Sequence, residues 1–185
     1  SLLKKKLTKL NLNYQITENE LKFDNIDLLV NNKKIFVPEI TALKKKKDFQ
    51  VSGKLLNKKS KFNEKEIKEY FKDKFINLKE IEFSSKSNFS FNIDKKLRFK
   101  NFNIKSVINL DYLKFNNFTV LSEILPNNKD ILILKNQKVE LAYNDKTLNI
   151  TGSGTIFLQE EPDTIRYEII NNKKGFIFNS NLKIN

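Results

Sequence analysis

The chain has 185 residues, of which 39% are hydrophobic, 11% aromatic and 31% charged; with 16 Phe it is too apolar for a disordered tail. Cys and His are both absent, which excludes disulfides, Cys/His zinc sites and every Ser-His or Cys-His catalytic pair. The net charge of +13 raises nucleic acid or an anionic membrane as partners, but 33 of the 35 basic residues are Lys. Arg, whose fork grips phosphate and guanine bidentately, occurs only at positions 98 and 166. With 26 Asn and 20 Ile, the lysine excess fits AT-rich coding, so no nucleic-acid partner is expected.

In chain order, the first basic run is Lys4-Lys5-Lys6. Leu10, Leu12, Tyr14 and Ile16 then alternate with polar residues, as in a strand with one apolar and one wet face. Thr17 to Glu20 reads as a hairpin turn leading to Leu21 and Phe23. The second run, Lys44 to Lys47, fits a solvated loop or strand edges guarded by lysine.

From residue 63 to 74 the spacing turns helical, with Ile67, Tyr70, Phe71 and Phe75 on one stripe. Asn63 suits the N-cap, Glu64 and Glu66 the first turn, and Lys72 and Lys74 the last. Alternation resumes at Phe89, Phe91 and Ile93, with a turn at Asp94 to Lys96 before Leu97 and Phe99. Pro126-Asn127-Asn128 marks a break between Leu121 and Asp130. Val139, Leu141 and Tyr143 alternate, Asn144 to Thr147 turns, and Ile165, Tyr167 and Ile169 alternate again. Such two-faced strands favour antiparallel pairing.

A pattern of Leu, basic, Phe, any, Asn, apolar, any, apolar begins at Leu21, Leu97 and Leu113. Its apolar places are the first, third, sixth and eighth. A regular strand would put the sixth on the wrong side, so the pattern predicts a bulge at Asn25, Asn101 and Asn117. A partial fourth unit starts at Leu148, with Gly152 in the bulge place. Repeated bulges would curl a long sheet. The fold class expected is mainly β: a long, curled antiparallel sheet, as a β-groove or half-open β-sandwich, with one short helix near 63–74. It reads as a single β-rich fragment, residues 1–185, of a longer protein. One group of strands lies over 1–62 and a second over 75–185.

The Leu-x-Phe-x-Asn-Ile-x-Leu step, the Leu148 to Ile156 stretch and the Phe36-Val37-Pro38-Glu39-Ile40 element resemble the AsmA-like envelope proteins, which include the TamB and YhdP relatives. The resemblance implies a repeating β-groove in the periplasm, anchored to the inner membrane by a segment outside this chain. It also implies phospholipid as the partner. On that reading the apolar face that meets acyl chains comprises Leu12, Tyr14, Ile16, Leu21, Phe23, Phe89, Phe91, Ile93, Leu97, Phe99, Leu141 and Tyr143.

No enzymatic activity and no cofactor or metal are expected. Glu64, Glu66 and Glu69 read as a solvated helix face, and Glu160, Glu161 and Asp163 as a solvated loop. Two other readings remain: a ligand-free structural or adhesion β-sandwich, and a basic nucleic-acid module.

Overall fold

A computed structural model describes residues 7–30, 33–71, 77–116, 131–158, 160–173 and 175–184. Among them 83% lie in strands, which form one ten-stranded antiparallel sheet that is not closed into a barrel. The strands are β1 (Leu7–Ile16), β2 (Glu20–Val30), β3 (Lys33–Lys44), β4 (Asp48–Asn63), β5 (Leu78–Asp94), β6 (Phe99–Asn116), β7 (Ile131–Asn144), β8 (Thr147–Phe157), β9 (Asp163–Asn172) and β10 (Gly175–Lys183). Their order in the sheet is their order in the chain. A helix, α1 (Glu64–Phe71), follows β4. The chain forms two compact units. Unit 1 comprises residues 1–58, 85–107 and 141–148; unit 2 comprises 59–84, 108–140 and 149–185.

The turns form where short polar side chains hold the backbone. Thr17 N–H donates to the Glu20 carbonyl at 2.8 Å, and the Thr17 hydroxyl accepts from Glu20 N–H at 3.2 Å. Asn144 Oδ1 accepts from Lys146 and Thr147 N–H at 3.1 and 3.2 Å. The β5–β6 hairpin is organised by Asp94, which takes N–H groups of Lys96 and Arg98 on Oδ1. Its Oδ2 meets the Arg98 guanidinium at 2.7 Å and the Lys100 ammonium at 3.0 Å.

These donors, Arg98 foremost and Lys100 next, hold the Asp94 carboxyl far below the usual carboxylate range. A depressed folded-state pKa contributes stability above the unfolded value and loses it as pH falls through the folded one. An NMR titration is therefore expected to show Asp94 still ionised when ordinary aspartates have protonated, below about pH 3. Arg98→Ala should move its midpoint upward; an unmoved midpoint would remove Arg98 as the cause.

The bulges predicted at Asn25 and Asn101 exist. Asn25 and Asn101 both have φ of 54°, in the left-handed region that Asn enters more readily than most residues. Opposite Asn25 and Ile26, β1 offers only Leu12, since Asn13 pairs with Asp24 and Asn11 with Asp27. The extra residue keeps Phe23 and Ile26 on one face. Val37 and Pro38 repeat the device against β4, where Phe36 pairs with Leu56 and Glu39 with Lys54. On β6 the ring of Phe91 touches both Phe99, at 5.3 Å, and Phe102, at 6.3 Å between centroids. Three residues apart in a regular strand, Phe99 and Phe102 would face opposite ways. Asn117 lies outside the described residues.

A third bulge stands at Asn136, with φ of 50°. Leu132-x-Leu134-x-Asn136-Gln137-x-Val139 carries the repeat's spacing, with Gln137 in the sixth place. Leu132, Gln137 and Val139 are all buried. Gly152, by contrast, makes no left-handed bulge: Gly175 is the glycine with positive φ among the described residues. A Cβ at Gly152 would lie 2.2 Å from the Tyr167 ring, and one at Gly154 would lie 2.6 Å from Gln137 Nε2 and 2.7 Å from the Asn136 carbonyl. The two glycines clear space for large neighbours instead. Gln137 Nε2 donates to the Thr155 carbonyl at 2.8 Å.

In unit 2, Leu132, Ile156 and Leu158 form a core against which Phe115, Leu134 and Ile165 pack. Asp163, read from sequence as part of a solvated cluster, is buried: it opens β9 two residues before Ile165, on the same side of the strand. The α1 start is a reciprocal cap. Asn63 Oδ1 accepts from Glu66 N–H and Glu66 Oε2 accepts from Asn63 N–H, both at 3.0 Å. Lys68 and Lys79 both reach Glu64, at 2.7 and 2.9 Å, and depress its carboxyl pKa. The helix buries Ile67 completely and ends at Phe71, three residues before the expected limit; Lys72, Lys74 and Phe75 lie outside the described residues, as does the Pro126 turn.

Candidate functional site

All twelve residues expected on the apolar face fall in unit 1. Leu12, Tyr14 and Ile16 stand on β1, Leu21 and Phe23 on β2, Phe89, Phe91 and Ile93 on β5, Phe99 on β6, and Leu141 and Tyr143 on β7. Eleven are strand residues. Leu97 is not: it sits in the β5–β6 hairpin, where its N–H closes the turn onto the Asp94 carbonyl at 2.9 Å. Its φ of 58° puts a bulky side chain in the left-handed region, at a cost of roughly 1–2 kcal/mol. The two-residue period had carried the face into the turn, where the Asp94 hydrogen bonds redirect the backbone.

Register assembles the wall. Tyr14 pairs with Phe23, and Ile16 with Leu21. Phe23 pairs with Ile40, Leu21 with Ala42, and Ile26 with Val37 on the next strand. Ala42 pairs with Val51 and Ile40 with Gly53. A Cβ at Gly53 would lie 2.6 Å from the Phe89 ring, so that ring overlies β4. Phe89 stacks on Phe91 at 6.1 Å, Phe91 meets Phe102, and Phe102 meets Tyr143 at 6.0 Å. An aromatic row thus continues one apolar face across β4, β5, β6 and β7. Ile40, Val51 and Phe102 belong to it and escaped the sequence reading, although the repeat spacing already held Phe102.

Among the described residues of unit 1, this wall is buried in part and exposed in part. Ile26, Val37 and Val51 are buried, but Tyr14 is 64% exposed, Ile16 69% and Phe99 69%. The opposite face is polar: Lys22 bridges Asp24 at 3.5 Å and Glu39 at 3.2 Å. Ser87 and Ser106, both in unit 1, form a buried hydroxyl pair at 2.7 Å.

A shallow pocket of about 270 Å³ lies among Asn88, Phe89, Ser90, Asn103, Ile104 and Lys105. It falls below the roughly 300–1,000 Å³ of ordinary small-molecule sites, so the wall itself is the stronger candidate. Among the described residues no group of acidic side chains is placed to hold a metal ion, and no helix is long and apolar enough to cross a membrane. No family model, curated protein or solved structure matches the chain.

Proposed function

We propose that the unit 1 wall binds phospholipid acyl chains, as a segment of an AsmA-like protein of the bacterial envelope working in the periplasm. One observation carries this reading: an apolar sheet face continuous through pairing and ring contacts, with Tyr14, Ile16 and Phe99 left in water. Soluble monomers rarely expose a contiguous apolar patch beyond a few hundred Å², roughly, without a use for it. An alkyl tail needs no hydrogen-bond partner. It gains about 0.8 kcal/mol for each methylene taken from water, so a smooth wall of Leu, Ile, Phe and Tyr suits it without polar anchors.

Mass spectrometry of lipid extracts from the purified chain tests the proposal. Phospholipid in near-stoichiometric amount is the expected result. Its absence, together with no binding of a fluorescent fatty-acyl probe, would overturn it. Tyr14→Asp and Leu12→Asp on exposed edge strand β1 should each weaken probe binding about tenfold, because a carboxylate replaces apolar contact worth ~1.4 kcal/mol. Lys22→Gln on the opposite face should leave it unchanged. Equal losses from both faces would show that the wall does not bind the probe.

A further inference from the structure

We infer that the hairpin end of unit 1 docks onto the surface of an anionic phospholipid bilayer. Four turns gather there. The Lys44 N–H donates to the Asn19 carbonyl at 2.8 Å, joining the β1–β2 and β3–β4 turns. Asp48, at the start of β4, accepts from Asn92 Nδ2 at 3.1 Å near the end of β5. Asp145, in the β7–β8 turn, accepts from Phe102 N–H at 2.8 Å near the start of β6.

The charge at this end is mixed but basic in balance, with Glu18 and Glu20 at the β1–β2 turn set against a larger number of lysines. Lys44 ends β3 and Lys45 to Lys47 form the turn after it, Lys95 and Lys96 lie in the next, and Lys146 in the last. Three of the acids beside them are engaged internally, while the Glu18 and Glu20 side chains at the β1–β2 turn are not, among the described residues. Asp94 is taken by Arg98 and Lys100, Asp145 by a backbone N–H, and Asp48 by Asn92. Lys95 and Lys96 make no ion pair among the described residues, so their charge faces outward.

Leu97 distinguishes this end from a merely solvated rim. It is 78% exposed and has φ of 58°, where Asn or Gly would relieve the backbone. A leucine held out in water, against its own conformational preference and between Lys96 and Arg98, contributes nothing to a core. It matches a bilayer interface, where an apolar tip enters the headgroup boundary and flanking cations meet anionic phosphates. Ile16 and Phe99, each 69% exposed, lie at the same strand ends and extend the apolar tip. Lysine serves a lipid phosphate as a mobile point charge, whereas base readout in nucleic acid leans on the arginine fork.

The inference does not rest on acyl binding by the wall. Vesicle co-sedimentation of the full chain tests it, using phosphatidylcholine vesicles with and without phosphatidylglycerol, and duplex DNA as a competitor. Binding is expected only to the anionic vesicles, weakening as salt rises. Leu97→Asn should leave the melting temperature unchanged or higher yet weaken vesicle binding about tenfold, since an apolar side chain no longer enters the interface. Lys95→Glu with Lys96→Glu should weaken it further while leaving fatty-acyl probe binding by the wall intact. Equal binding to neutral vesicles, an unchanged affinity for Leu97→Asn, or equally tight binding to duplex DNA would each overturn the inference.

Discussion

Replacing Asn25, Asn101 and Asn136 together with valine is expected to destabilise the chain by about 3–6 kcal/mol, against less than half of that for the triple glycine variant. The three residues share a left-handed φ of 50–54°. All three are exposed, so their substitution removes no packed side chain. What remains is the backbone. A β-branched residue in that region costs roughly 1–2 kcal/mol, while glycine enters it freely and loses only some unfolded-state entropy. The sites lie on β2, β6 and β7 without shared partners, so their effects should add. Urea unfolding monitored by circular dichroism measures the difference, and valine costing no more than glycine would show that the bulges are not held by backbone conformation. The same residues set which way the side chains face. Without the bulge at Asn101, Phe99 and Phe102 would part to opposite faces, because a one-residue slip inverts a strand.

The parts of this architecture that were legible from the residues are those set locally. The Asn63 and Glu66 cap needs only a spacing of three, and the helix begins where that spacing places it. The bulges at Asn25 and Asn101 announce themselves because an apolar step of three interrupts steps of two. Asn136 carries the same signal but hides it. Its unit has Ile133 where the others have a basic residue and Gln137 where they have an apolar one, and Gln137 is tolerated because it reaches the Thr155 carbonyl. Features set by distant neighbours were not legible. Gly152 looks like a bulge residue in its own segment, yet its lack of a side chain is required by Tyr167, one strand over. Asp163 sits in an acidic stretch but is buried on β9. For the wall, alternation showed which side chains share a face. Whether each residue of that face meets water depends on its neighbours on adjacent strands, as the burial of Ile26 and the exposure of Tyr14 show, and alternation within one strand does not state it.

The glycine pair of β8 offers the second large effect. Gly152→Ala is expected to destabilise by about 2–3 kcal/mol, as overpacking of a filled site does. The added methyl would stand 2.2 Å from Tyr167 Cζ and 2.3 Å from its hydroxyl oxygen, closer than any real contact, so the ring must leave its position. Burial already pushes the Tyr167 phenol pKa upward, so displacing the ring should bring it back toward the ordinary value. Tyr167→Ala vacates the space and loses its own packing. If the clash is the cause, Gly152→Ala added to Tyr167→Ala should cost less than about 0.5 kcal/mol, since the methyl then fills part of the hole. Gly154→Ala supplies the contrast. Its methyl would meet the Asn136 carbonyl at 2.7 Å, a backbone atom fixed by the bulge, as well as Gln137. Removing the Gln137 side chain should therefore rescue Gly154→Ala only in part. Equilibrium unfolding of the two cycles decides it: full rescue at both positions, or at neither, would separate the glycines from the neighbours that the structure sets above them.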